Sequence, residues 1–404
     1  MNAKIEMARQ EALKILQPTR AELEHGLALH AQAVVVESYG FAPRSAVDGD
    51  ALARAVEAGA SDAELQDLTE DMMMTRCVEE AESRAEFQEA WSASGLTCIL
   101  ENAGEETQAP MQIIKRLARY TYVTDRMPEF LRRAVTPDDI VAAKAEGRHC
   151  VYLTTNGVPL SQRWASLEEE LGYIRVFAQL GARMMHLTYN RRNMIGDGCA
   201  EPSNAGLSDL GCAVVAEMNR QGVIVDVAHS GWRTSLEAAQ VSQRPMVASH
   251  SGCAALNAHI RCKPDEVIRA IAETGGLIGI CGVPAFLGRS LDIQAMLDHI
   301  DHVARTVGVD HVAIGTDNAY VSMRIEAERA KVPPRRQPRP SWEYFWPSGD
   351  PVHDPQVQYQ RGRSLAWTNW PLFTVGLVQR GYSDEEILKI VGGNVLRVAR
   401  ECLV

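Results

Sequence analysis

Short apolar runs rich in β-branched residues recur along the chain and set its architecture. They read AVVVE (33–37), LTCIL (96–100), CVYLT (150–154), MMHLT (184–188), VIVDVA (223–228), PMVAS (245–249), LIGIC (277–281) and HVAIGT (311–316). Most are continuous, not alternating, as in parallel strands covered on both faces. Between them lie segments with helical spacing of apolar residues. SLEEELGYIRVFAQLG, LSDLGCAVVAEMNRQG, KPDEVIRAIAETGG and IQAMLDHIDHVARTVG each end in glycine, a helix C-terminal signal. Eight strands alternating with helices predict a (β/α)8 barrel. The second reading is an open doubly wound sheet, against which stands the lack of a glycine-rich phosphate loop after the first run. Two segments fall outside the repeating units. Residues 42–95 read as an acidic, Met- and Ala-rich helical excursion, and residues 318–364 as a Pro-rich, aromatic insertion forming a lid or a subunit contact. No domain boundary is visible, so residues 1–404 read as one barrel domain with an N-terminal helical extension.

A barrel of this kind builds its site at the C-terminal ends of its strands. Here those ends carry Glu37, Glu101, Asn156, Tyr189, His229, His250 and Asp317, with Arg261 in the loop beyond the sixth run. Two imidazoles at the ends of consecutive strands suit a divalent metal, because neutral imidazole is a common zinc ligand. Asp317 is the obvious third ligand, with Glu37 and Glu101 as further carboxylates. The bland reading of each residue is a strand-end cap or a hydrogen-bonded core group. His186, within an apolar run, reads as a core histidine with a backbone partner. His259 reads as a support for the Arg261 loop, and His299, His302 and His311 as a solvated face. Trp342, Phe345 and Trp346 line the pocket mouth or pack the insertion. The run PPRRQPRP reads as a solvated loop.

Composition narrows the function classes. The 404 residues carry 41 basic and 52 acidic side chains, a net charge of −11, with no Lys/Arg stripe, which excludes a nucleic-acid footprint. Nine cysteines without paired spacing point to a reducing compartment. The N-terminus lacks a continuous apolar segment of the secretory type, and no run is long enough to span a membrane. These features place the chain in the cytoplasm, acting on a small molecule.

From about residue 150 onward the chain resembles the membrane (renal-type) dipeptidase family of zinc hydrolases. The resemblance is carried by RVFAQLGARMMHLTYN, GLSDLGCAVVAEMNRQGVIVDVAHS, ASHSGCAALNAHIRCKPDEVIRAIAETGG, HVAIGTD and GYSDEEILKIVGGNVLRVARE. It implies a barrel, a homo-oligomer such as a homodimer, and two zinc ions. His229 and His250 match two ligands of that family. Asp317 matches the aspartate that passes a proton to the leaving amine, and Arg261 matches the arginine that holds the substrate carboxylate. The other half of the centre is missing. Ser38 and Gly40 stand where the family has His-x-Asp, Asn156 at the bridging Glu, and Thr188-Tyr189 where it has Thr-His. Serine, glycine and neutral asparagine do not replace an anionic or imidazole ligand. The expectation is therefore at most one zinc ion, held by His229, His250 and Asp317, with Arg261, Tyr189 and Asn156 facing the substrate. Two alternatives stay open. One is a metal-free enzyme using His229, His250 and Asp317 as acid/base groups, and the other is a non-catalytic ligand-binding or structural barrel.

Overall fold

The apolar runs become ten strands in a computed structural model that describes residues 2–104, 110–334, 345–359 and 362–403. They are β1 (Val36–Gly40), β2 (Cys98–Asn102), β3 (Leu131–Ala134), β4 (His149–Thr155), β5 (Met184–His186), β6 (Ile224–Asp226), β7 (Met246–Cys253), β8 (Cys262–Lys263), β9 (Leu277–Ile280) and β10 (Val312–Ile314). Eight of them follow one another in the order β1-β2-β4-β5-β6-β7-β9-β10, every pair parallel. The barrel nearly closes where the chain beyond β10 meets β1: the Asp317 N–H donates to the Tyr39 carbonyl over 3.2 Å. Strand β3 lies off this path against the first half of β4, and β8 pairs with the end of β7. Neither is an apolar run in the sequence. LRRA is half arginine, and CK is two residues long.

Alternate residues of each strand face opposite sides, as the pleat requires. Val36, Leu100, Tyr152, Met184, Ile224, Val247, Leu277 and Ala313 share one cluster that fills the barrel. Val395, Val398, Ala399 and Cys402 of the C-terminal helix Asn394–Cys402 join that cluster. Their sequence neighbours Ile99, Val151, Met185, Val225, Ala248, Ile278 and Ile314 pack outward among the helices. Before that helix, Gly392 lies so close to β1 that a Cβ there would sit 2.1 Å from the Val34 carbonyl oxygen, which explains the Gly-Gly break.

Two irregularities shape the upper barrel. Between Glu37 and Gly40, β1 advances three residues while β2 advances two, and β7 does the same against β9 between Ala248 and Ser251. Each is a β-bulge, which re-aims consecutive side chains. Ser38 and Tyr39 both turn into the barrel as a result, and so do Ser249 and His250.

The excursion after β1 forms helices Gly49–Glu57, Asp62–Glu79 and Ala81–Ser94, the second opened by a Ser61–Glu64 capping box. The described part of the 318–364 insertion packs back on the same chain. Trp346 is buried against Phe286, and Phe345 sets its ring edge on Tyr189 at 5.3 Å. Trp342 and most of PPRRQPRP lie outside the described residues. No helix among the described residues is long and apolar enough to cross a membrane, and all nine cysteines are free thiols.

Candidate functional site

His229 follows β6, and His250 sits on the β7 bulge. Their Nε2 atoms meet at 2.9 Å, as their shared strand-end position predicts. Each imidazole is oriented from behind. Asn190 Oδ1 lies 2.7 Å from His229 Nδ1, and Ser249 Oγ lies 2.8 Å from His250 Nδ1. The Ser249 hydroxyl in turn donates to Asp226 Oδ2, while the backbone N–H groups of Ala228 and Ser249 donate to Oδ1 at 2.9 and 3.1 Å. Aromatic rings clamp both histidines. Tyr39 stacks on His250 at 3.9 Å between centroids and Tyr189 on His229 at 4.2 Å. Burial holds both imidazoles well below the ordinary histidine range, and the nearby Arg261 guanidinium adds to the shift. They are neutral, the form that accepts a proton or a metal.

Arg261 is wholly buried. One arm donates to the Ala228 carbonyl; the other reaches the His250 carbonyl at 3.1 Å and His229 Nε2 at 3.2 Å. Its Nε makes no hydrogen bond. His259 supports this loop as expected: its Nδ1 accepts the Arg261 backbone N–H, and its Nε2 lies 3.1 Å from Asp350 of the insertion. Beside it, Lys263 is equally buried and donates to the carbonyls of Val227 and Ser230, both at 2.7 Å. Burial pushes its pKa down to about 7.

Several expectations need correction. Among the described residues two groups bring three ligand atoms within 4.8 Å of one another, the buried His186, Asp226 and His250 and the more exposed Asp48, Asp50 and Glu328, and His229, His250 and Asp317 do not form such a group. Asp317 is at its expected strand end, in a left-handed backbone conformation (φ 57°), yet it is outside both groups. His186 is buried, but its neighbour is a carboxylate, not the backbone: Asp226 Oδ2 lies 2.5 Å from its Nε2. Asp226 and Asn190 were not among the candidates at all. A charged residue in the middle of the buried run VIVDVA was the signal for Asp226; nothing in the sequence singles out Asn190. His299 is not on a solvated face. It is fully buried, accepting the Cys253 N–H at Nδ1, with the Leu287 carbonyl 3.0 Å from Nε2.

The two-ion arrangement does not fit these residues. The Ser38 hydroxyl donates to the Ser249 carbonyl at 2.7 Å, and Asn156 accepts the Tyr39 hydroxyl at its Oδ1. Both are thus committed to the protein in the space that half of the centre would need. Glu37 and Glu101 do not substitute. Glu37 accepts from Thr316 and from Trp367 Nε1 at 2.8 Å, and Glu101 accepts from the Ala42 N–H and the Tyr120 hydroxyl.

Burial pushes the Glu37 carboxyl up to about 8, partly offset by those donors, and the Glu101 carboxyl up to about 7, partly offset by Arg44. The folded protein therefore holds protons that the unfolded chain releases near pH ~4.3. Their contribution to stability is complete below that pH and is lost as pH rises through about 7 to 8. Thermal melts are expected to show these two carboxyls lowering the melting temperature progressively from about pH 4.3 up to about pH 8, with Glu37→Gln flattening the fall. A melting temperature constant across that window would contradict the assignment.

The sequence profile described as membrane dipeptidase (Peptidase family M19) matches residues 52–327. The chain belongs to the membrane dipeptidase family. Dipeptidase tcpJ of Claviceps purpurea (strain 20.1) is 30% identical to it over 283 residues, which is 69% of this chain and 56% of that protein. The chain spans about half the length of the curated dipeptidases it matches. Among solved structures, an amidohydrolase from Pseudomonas aeruginosa superposes with a TM-score of 0.66 at 23% identity, covering 93% of this chain and 98% of that one. A metallo peptidase from Rhodobacter sphaeroides, liganded with a phosphinate mimic of the dipeptide L-Ala-D-Ala, gives 0.64 at 15% identity, covering 92% and 99%. These likenesses show that the chain shares their barrel fold.

Proposed function

We propose that the chain hydrolyses an amide bond in a small, dipeptide-like or cyclic substrate, in a reducing compartment such as the cytoplasm. The observation that carries this reading is the convergence of His229, His250 and Arg261 at one end of a dipeptidase-family barrel. Dipeptidase tcpJ and the phosphinate-liganded structure support the substrate class. The buried imidazoles and carboxylate at this end of the barrel suit one divalent ion, which when bound would supply positive charge to polarise the scissile carbonyl and activate water. The protein does the rest. Neutral, oriented imidazoles stand ready at the strand ends. Arg261 Nε is the donor left over for a substrate oxygen, and a guanidinium suits a carboxylate. Asp317, whose backbone N–H meets the Tyr39 carbonyl, would return a proton to the leaving nitrogen, the role that the family resemblance implies for it. Tyr189 and Phe345 form an apolar wall that excludes water from the reacting end.

With one divalent ion fewer than a two-ion centre, unactivated L,L- and L,D-dipeptides are expected to turn over slowly, since such charge commonly lowers a barrier by several kcal/mol. A panel of dipeptides, cyclic dipeptides and activated amides, assayed with added zinc against His250→Ala, measures this. The expected result is His250-dependent cleavage confined to activated or cyclic members. Fast, His250-dependent cleavage of plain dipeptides would restore an ordinary dipeptidase, and cleavage insensitive to His250→Ala would remove the site from the reaction. No cleavage anywhere would favour a ligand-binding barrel.

A further inference from the structure

We propose that the divalent ion of this chain is held by His186, Asp226 and His250, at the last residues of β5 and β6 and on the β7 bulge, and not by the pair His229 and His250. The proposal rests on the hydrolase reading only for the role of the ion, not for its place. His186 on β5 and Asp226 on β6 are register partners, so both face into the barrel at one level. The β7 bulge delivers His250 to the same level. One ligand atom from each lies within 4.8 Å of the other two. Two imidazoles and a carboxylate, with a fourth position open, make a common catalytic zinc set.

Three further observations favour this place. His186 is 1% exposed, yet neither of its ring nitrogens makes a hydrogen bond, even though Asp226 Oδ2 is 2.5 Å away. The carboxylate lies off the direction that a ring N–H would need. Buried polar atoms without hydrogen bonds are rare, and such a pair marks a place that something else satisfies. Asp226 is already held as a ligating carboxylate usually is, by two backbone N–H groups and a hydroxyl. The strand-end alternative is less suited to a cation. The Arg261 guanidinium lies 3.2 Å from His229 Nε2, where it repels a cation.

The test is metal binding by the full chain. The protein is stripped with chelator and titrated with Co²⁺, read by its visible absorption, and with Zn²⁺, read by elemental analysis. The wild type is expected to take one ion per chain. His186→Gln and His186→Asn are expected to bind more than about 100-fold more weakly, beyond what loss of an outer partner costs. His229→Gln should keep one ion per chain. Circular dichroism melts check that each variant folds, and anomalous diffraction from zinc-loaded wild-type crystals locates the ion without any variant. No ion in the wild type, unimpaired binding by both His186 variants, or loss of the ion in His229→Gln with His186→Gln unaffected would overturn the proposal. Amide hydrolysis is read separately. An ion on these three residues without turnover on the substrate panel upholds the site and overturns the hydrolase reading alone. Turnover that needs His250 but survives His186→Gln overturns the site alone.

Discussion

Replacing Trp91 by alanine is expected to lower the folding free energy by about 3–5 kcal/mol, the range for emptying a buried tryptophan site. Trp91 sits on the helix Ala81–Ser94, in the excursion after β1, and is wholly buried. Its ring meets Trp367 edge-on at 5.3 Å between centroids and His149 at 4.8 Å. Trp367 in turn donates to Glu37 on the first barrel strand. The excursion is therefore built into the wall that supports β1, and its loss should be felt at the site. Urea denaturation of Trp91→Ala beside Trp91→Phe measures it. The phenylalanine variant keeps an aromatic filler and should lose less than half as much. A loss below about 1 kcal/mol for alanine would mean that the excursion is not part of the same cooperative core.

The sequence carries the barrel because its eight apolar runs are long enough to be covered on both faces. For the same reason it hides which side each residue faces. A continuous run such as PMVASHS has no alternation from which to read inside and outside, and a bulge that turns both Ser249 and His250 inward leaves no mark in composition. His229, His250 and Arg261 were legible from motif and strand-end position. His186 and Asp226 form a pair across neighbouring strands 40 residues apart in sequence, visible only once register is known. His299 was legible and misread. In IQAMLDHIDHVARTV it lies on the same helical face as Met296, Ile300 and Val303, all buried, so the period of the helix itself places it in the core. The strand LRRA stays hidden because half of it is arginine, sitting at a sheet edge where water reaches both side chains.

The departure of β1 from the family pattern is fixed by packing as well as by ligand chemistry, and Gly40→Asp is expected to show it. This substitution places a carboxylate where the family resemblance implies a metal-binding aspartate. A Cβ at Gly40 would lie 2.4 Å from Glu37 Cδ and 2.5 and 2.6 Å from its two oxygens. Glu37 cannot swing aside cheaply. It is wholly buried and accepts from Thr316 and Trp367, so moving it strands a buried indole N–H and a backbone N–H. Overpacking of this kind costs about 1–3 kcal/mol, and a second carboxylate against the first adds like-charge repulsion. Gly40→Asp is therefore expected to lose roughly 3 kcal/mol or more without gaining an ion. Gly40→Ala separates the two terms, because it brings the Cβ without the charge. The double variant Glu37→Ala, Gly40→Asp should be more stable than the sum of the single changes predicts, since the two residues share one space. Urea denaturation and zinc analysis of the wild type, Glu37→Ala, Gly40→Asp, Gly40→Ala and the double variant decide the matter. A Gly40→Asp protein as stable as the wild type, carrying two zinc ions, would show that β1 can still accept the family's ligand and that its loss is chemical alone.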